Sequence, residues 1–413
     1  MRIRSSVALA LGLAAAGTAA HAANGGNAFN PGMALVLNGT WASYPSDAGH
    51  RQIPGFLLGD EAGLAPQGFG LGESELDLFS NFDDLFTGFG ALSFHESHGG
   101  DSVGVELAYL QTIAMPEGLQ FTAGKFFSDF GYQNSRHAHT WDFVDQPLVY
   151  EAMLNNQYSD PGVQLTWLAP TDTYLLVGAE LFSGDKFPAG GAAHSGNGAN
   201  SVFVKFSQDV DDSNTWFAGV SYLSTRSFNR PSLGSADAEF SDQSQLDGPL
   251  FSGTSDIVGA DFVWKWSPHG NFAQQNLVLQ AEYLRRNESG TVQSVGCAVG
   301  ADCILPPGMV SRYTGSADGW YVQAAYQWRP QWRIGLRYDR LSSDNSVQGF
   351  YQPSQLQGNG SSPHRESAML DFSNSEFSRI RLQYNRDQSG PTAYNEVFLQ
   401  YIVAMGAHPA HTF

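Results

Sequence analysis

From about residue 30 onward, apolar and polar residues alternate in segments of roughly ten residues, the spacing expected of half-buried strands. The clearest segment runs from Trp320 to Trp328. Trp320, Val322, Ala324, Tyr326 and Trp328 fall on one face, with Gln323 and Gln327 on the other. In the next, Trp332, Ile334, Leu336 and Tyr338 oppose Arg333 and Arg337. Ile380, Leu382 and Tyr384 oppose Arg379, Arg381 and Gln383, and Val397, Leu399 and Tyr401 oppose Glu396 and Gln400. A period of two puts each set on one side of a sheet. The pattern predicts strands over 33–41, 73–82, 87–96, 102–112, 119–126, 161–169, 172–183 and 200–209. Eight more follow over 213–226, 254–267, 273–287, 317–329, 331–341, 367–373, 376–387 and 392–405. The class is all-β, with about sixteen strands and a range of 14–18.

Alternation alone does not say whether the apolar face meets a protein core or lipid. The connections do. Short gaps (83–86, 113–118, 170–171, 210–212, 268–272, 330) alternate with mostly long ones (42–72, 127–160, 184–199, 227–253, 288–316, 342–366). Short turns on one side and long loops on the other are the habit of a transmembrane antiparallel β-barrel, with turns periplasmic and loops extracellular. Trp216, Phe217, Trp264, Trp266, Trp320, Trp328 and Trp332 stand near predicted strand ends, where interfacial aromatic girdles lie. The C-terminal Phe413 after an amphipathic strand resembles the assembly signal that the barrel-assembly machinery reads on outer-membrane barrels.

The first residues agree with this compartment. Arg2 and Arg4, an apolar run over 7–20 and Ala20-His21-Ala22 make a secretory signal peptide over 1–22, leaving a barrel over 23–413. A Gram-negative outer membrane is the expected destination, with lipid and lipopolysaccharide as partners. A homotrimer is as compatible with the outward face as a monomer. In an exported protein the two cysteines, Cys297 and Cys303, are expected to form a local disulfide. The formal net charge of −19 excludes general nucleic-acid binding and suits attraction of cations.

The segment Gly124–Leu154, GKFFSDFGYQNSRHAHTWDFVDQPLVYEAML, breaks the pattern. It starts strand-like and then has no sustained period, yet it is dense in aromatic and acidic residues. A long irregular connection of this composition is expected to pack and to function. We expect 127–160 to fold into or over the pore, with Asp129, Trp141, Phe143 and Glu151 at the constriction. His137 and His139, with Asp142 and Asp145, are candidate ligands for zinc or a similar divalent ion; the alternative is a packed loop whose histidines hydrogen-bond to the wall. Strand parity turns Lys265, Arg333, Arg337, Arg379 and Arg381 toward the lumen, with Glu75, Asp77 and Glu106 on early strands. Such rows of charge set selectivity, unless the arginines merely pair with local carboxylates. His95 and His98, with Glu96 and Asp101, are possible surface ligands, and His408 and His411 a possible site at the periplasmic end.

This segment, together with the closing NEVFLQYIVAMGAHPAHTF, resembles porin-like bacterial outer-membrane proteins associated with zinc-responsive uptake. Members are often labelled zinc-regulated TonB-dependent receptors. The matching positions are Gly124, Lys125, Asp129, Gly131, Tyr132, His137, His139, Trp141, Asp142, Phe143, Asp145 and Pro147, then Gly406, Ala407, His408, Ala410, His411 and Phe413. The first long loop departs from relatives rich in His and acids there, holding His50, Asp47, Asp60 and Glu61. An energised receptor needs a plug before a barrel of about 22 strands, more than this length holds, so passive diffusion is expected. The resemblance implies zinc or another divalent metal, free or chelated, as cargo, with no cofactor required. Two other readings stand beside it: an anion-selective porin using the arginine wall, and a non-conducting receptor or adhesin. No nucleophile elbow or phosphate-binding glycine loop occurs, so an enzyme is not expected.

Overall fold

The computed structural model describes residues 30–45, 52–97, 100–190, 197–232, 248–295, 306–358 and 360–406, with backbone only at 95–97, 100 and 101. The expected signal peptide, Cys297, Cys303, His98, His408, His411 and Phe413 lie outside the described residues, as do the side chains of His95, Glu96 and Asp101.

Among the described residues, seventeen strand segments make one closed antiparallel sheet. They are β1 (Gly32–Ser43), β2 (Gly68–Leu71), β3 (Ser74–Asn81), β4 (Phe86–Ser97), β5 (Gly100–Thr112) and β6 (Leu119–Phe127). Next come β7 (Ser159–Leu168), β8 (Tyr174–Phe182), β9 (Ala199–Asp211), β10 (Asn214–Arg230), β11 (Leu250–Trp266) and β12 (Asn276–Gln293). The ring is completed by β13 (Val310–Arg329), β14 (Trp332–Gln348), β15 (His364–Ser375), β16 (Ser378–Gln388) and β17 (Tyr394–Gly406). From β3 onward each strand pairs with the next, and β1 closes the ring between β17 and β3. β2 and β3 occupy a single place in the wall: β2 pairs with Gly39–Ala42 of β1 and β3 with Gly32–Val36. The interruption sits at Gly72, whose N–H donates to the Asn38 carbonyl at 2.8 Å. A Cβ at Gly72 would lie 2.5 Å from the Asn38 amide. The wall therefore has sixteen places.

The outward face carries exposed Val220, Val258, Val322, Ile334, Leu336, Leu370, Leu382 and Leu399. No helix among the described residues is long and apolar enough to cross a membrane. A closed barrel with an apolar exterior and polar residues inside crosses with its strands, as outer-membrane barrels do. Trp328 and Trp332 stack at 6.2 Å near the short turns, while Trp320 and Tyr338 meet at 5.6 Å eight residues farther along β13. On tilted strands that interval is roughly 20 Å, close to the height of a lipid-facing belt. Phe217 corrects the expected girdle: it faces inward, its ring 5.4 Å from that of Tyr132.

β10 to β14 extend farther than their hydropathy predicts; β12 and β13, for example, reach Gln293 and start at Val310. Ladder hydrogen bonds continue above the lipid, where the outward face is wet and no longer apolar, while the inward Phe251, Val292 and Tyr313 stay buried against Leu57, Tyr351 and Leu356. Hydropathy therefore marks the membrane-embedded part of a strand, not its end.

The apolar core lies inside the barrel. Inward-facing Phe126, Phe182, Leu223, Ile257, Leu284, Tyr321 and Leu341 converge on residues 128–158, and Phe56, Leu58 and Ala62 of the first long loop join them. At the centre is a short helix, α1 (Leu148–Leu154), every residue of which is buried. Seven residues are too few for a helix to stand alone, and the wall satisfies both its ends. Asp339 Oδ1 accepts the Leu148 N–H at 3.1 Å, and Arg286 Nη1 donates to the Ala152 carbonyl at 3.1 Å. Both charges also oppose the helix dipole in the favourable sense. Asn155, in the left-handed region at φ 54°, terminates it.

Candidate functional site in the barrel lumen

Residues 128–158 cross the lumen and are held at nearly every step by inward-facing side chains. At the entry, Ser128 Oγ donates to Glu180 Oε2 at 2.5 Å and the Asp129 N–H to Glu180 Oε1 at 2.8 Å. Asp129 itself pairs with Lys205 on β9 at 3.0 Å. Glu282 on β12 then takes five donors: the Tyr132 and Gln133 N–H groups at 3.0 Å each, the Tyr150 hydroxyl at 2.7 Å, the Tyr321 hydroxyl at 2.5 Å and the Gln280 amide at 3.4 Å. The chain must pass close to this carboxylate. Gly131, at φ +69°, permits it, since a Cβ there would lie 2.5 Å from the Tyr150 oxygen and 2.6 Å from Glu282.

A single helical turn, Ala138–Thr140, follows. It turns both His137 and His139 toward β3. His137 Nδ1 is 2.9 Å from one oxygen of Glu75, and His139 Nδ1 contacts the other oxygen. The two imidazole rings are 5.5 Å apart. Phe89 and Phe127 present their rings edge-on to His137. Burial draws the His137 pKa down, but the Glu75 carboxylate outweighs it and raises the pKa to about 9. For His139 burial prevails over Glu75, and the neighbouring His137 and Arg379 add to a lowered pKa.

The second half of the segment meets the arginines. Asp142 pairs with Arg333 at 2.6 Å and accepts from Gln323 at 3.0 Å. Phe143 packs against Ala325 and Met369, with the Arg337 guanidinium 4.6 Å above its ring. Asp145 pairs with Arg337 at 2.7 Å and Arg365 at 3.4 Å, and accepts from Gln383 and Asn385 at 2.8 and 2.6 Å. Burial would raise the Asp145 pKa; Arg365 and Arg337 together hold it well below the usual carboxylate range. Glu151 on α1 pairs with Arg365 at 2.8 Å. Arg381 binds Asp371 at 2.7 Å and the Trp141 carbonyl at 2.9 Å. Arg379 donates to the His139 carbonyl at 2.7 Å.

The four residues grouped as metal ligands therefore separate. His137 and His139 meet Glu75, while Asp142 and Asp145 belong to the arginine network. Glu75, Asp77 and Glu106 are buried on the inner face of β3 and β5. Trp141 is buried, with its Nε1–H on the Arg136 carbonyl at 2.8 Å. Lys265 shares the inward face of β11 with Asp261 and Val263, three strands from Arg333. Sequence reasoning passed over Glu282, Glu180 and Asp371, although strand parity places all three on the lumen side. Arg365 was lost because the predicted strand began at 367, whereas β15 starts three residues earlier, at His364.

No protein-family model matches this chain. A protein of Aquifex aeolicus (strain VF5), described only as uncharacterized, is 30% identical over 415 residues, spanning 94% of this chain and 80% of that protein. Solved structures share the fold at low identity. OmpT with loop L8 deleted, an outer membrane protein of Vibrio cholerae, has a TM-score of 0.54 at 10% identity, covering 91% of this chain and 99% of that one. An anion-selective porin from Comamonas acidovorans has 0.53 at 9%, with 91% and 99% covered. The outer membrane channel DcaP of Acinetobacter baumannii has 0.51 at 13%, with 91% and 97% covered.

Proposed function

We propose that this chain, which belongs to the same family as the Aquifex aeolicus protein and has the fold of an outer-membrane porin, is a passive channel for small hydrophilic solutes that prefers cations. The observation that carries the reading is the state of the lumen charges. Arg333, Arg337, Arg365 and Arg381 each lie against at least one carboxylate. Elsewhere round the wall, on β3 and β11, Oδ1 of Asp77 and both oxygens of Asp261 meet no hydrogen-bond partner, and on β5 Glu106 meets only the Glu73 carboxyl. Four lumen arginines are thus paired with carboxylates and Arg379 is not. Asp77, Glu106 and Asp261 form no ion pair among the described residues, an excess of acid that supports a preference for cations. The filled lumen supports a small conductance.

Reversal potential in a planar bilayer under a potassium chloride gradient tests this. A cation-selective current is expected, shifted toward zero selectivity by Asp77→Asn, Glu106→Gln and Asp261→Asn together. An anion-selective current would transfer the function to the arginine wall, and no current at all would leave a receptor or adhesin. Zinc or another divalent ion is the cargo that the resemblance to zinc-responsive uptake proteins implies. Replacing potassium by zinc in the gradient should then carry measurable current, whereas block without permeation would exclude zinc as cargo.

A further inference from the structure

We infer that Glu75, His137 and His139 form a binding site for a divalent transition-metal ion that fastens the inward segment to the barrel wall. The ligand atoms of the three residues lie within 4.8 Å of one another. Two imidazoles and a carboxylate are the donor set of zinc-type sites that keep a further position open for water or solute. Bonds of about 2.0–2.2 Å to such an ion require ligand atoms roughly 3.3–3.6 Å apart, a small adjustment of side chains already converged. The elements carrying the ligands are fixed independently of any ion. Glu75 lies on β3 within the ladder to β1 and β4, and the histidine turn is held by Arg379 on the His139 carbonyl and Arg381 on the Trp141 carbonyl.

A second observation points to a cation here. Asp77 follows Glu75 on the inward face of β3, and Glu106 on β5 faces them across β4, where the inward residues Ala91 and Ser93 are small. Asp77 Oδ1 is buried without a donor and Glu106 has only the neighbouring Glu73 carboxyl, so several carboxyl groups crowd here with no basic partner but the two histidines; Glu106 and Asp77 are only 9% and 4% exposed. Buried carboxylates without donors carry a large desolvation cost that a bound cation would offset. Ions lacking affinity for imidazole nitrogen are disfavoured by the two histidines, which suit zinc, copper, nickel or cobalt instead. An occupied site would join the 137–139 turn to β3 and stiffen the segment that crosses the lumen.

The test is equilibrium dialysis of the full-length folded protein against zinc chloride, with cobalt chloride as a spectroscopic probe. It needs no current, so its outcome is separate from the channel reading. About one zinc ion per chain is expected, with cobalt absorption bands typical of nitrogen and oxygen ligation. Glu75→Gln keeps the shape of the site, and His137→Ala/His139→Ala removes two ligands. Each should weaken binding at least ~10-fold, while His364→Ala, a histidine outside the lumen cluster, should not. Gel mobility of the unheated barrel establishes that the variants fold; should the histidine variant misfold, Glu75→Gln alone decides. Zinc retention by Glu75→Gln equal to the parent, or loss of binding in His364→Ala, would overturn the site.

Discussion

Asp145 shows how a single residue can hold a long segment in a wet barrel. Its carboxylate serves two guanidiniums and two amides from three wall strands, β14, β15 and β16. Exchanging it for Asn removes the charge but keeps the volume. Arg337 retains Asp339 and Arg365 retains Glu151, so part of the compensation survives. Breaking a buried pair from one side still costs about 3–5 kcal/mol, and the low end is expected here. Denaturant unfolding of the bilayer-reconstituted protein should show Asp145→Asn destabilised by ~3 kcal/mol. An unchanged midpoint would mean that the arginine network does not anchor the segment. The two histidines teach a related point. Neighbours in sequence and sharing one carboxylate, His137 and His139 are shifted in opposite directions because Glu75 outweighs burial for the first and not for the second.

At the scale of elements, the segment 128–158 is best seen as an internal layer whose secondary structure is supplied by the wall. α1 takes its N-terminal acceptor from β14 and its C-terminal donor from β12. The entry turn takes its acceptor from Glu282. Glu282→Gln should therefore loosen the turn, because an amide places a donor where five donors already converge. The loss is about 2 kcal/mol of local stability. Hydrogen exchange would record it as faster exchange at the Tyr132 and Gln133 amides, with the ladder between β12 and β13 unchanged. Equal protection in parent and variant would show that apolar packing, not Glu282, sets the turn. Burial of Leu148, Val149, Met153 and Leu154, at roughly 1.5–3 kcal/mol per side chain, holds the helix itself in place.

For the whole molecule, the barrel turns one set of aliphatic residues out to lipid and gathers charges and amides inside, around an apolar cluster centred on α1. Depth along the wall then decides what a substitution does. Leu336 faces outward at mid-height on β14 and is 61% exposed, whereas Val310 faces outward at the start of β13, ten residues from Trp320. Leu336→Arg should cost about 2–4 kcal/mol of folding free energy in lipid vesicles, and Val310→Arg about 0–1. Reversible urea unfolding measures both. Equal costs would contradict the placement of the lipid belt between the Trp320 and Trp328 levels.

A count of about sixteen strands, the parity of short and long connections, and the inward face of the arginine-bearing strands were legible in sequence alone. All three follow from a period of two and from turn chemistry, which act over a few residues. The same parity placed Arg333, Arg337, Arg379 and Arg381 toward the lumen, and the lack of period in Gly124–Leu154 set that segment apart. Partners were a different matter. Glu75 and His139 are separated by 64 residues and Arg337 and Asp145 by 192. Which carboxylate meets which cation depends on closure of the barrel and on the path of the segment across it. Tertiary structure therefore decided that the histidines go to Glu75 and the aspartates to the arginines. It also decided that β2 and β3 share one place in the wall, because that pairing depends on β1 and not on either segment's own pattern.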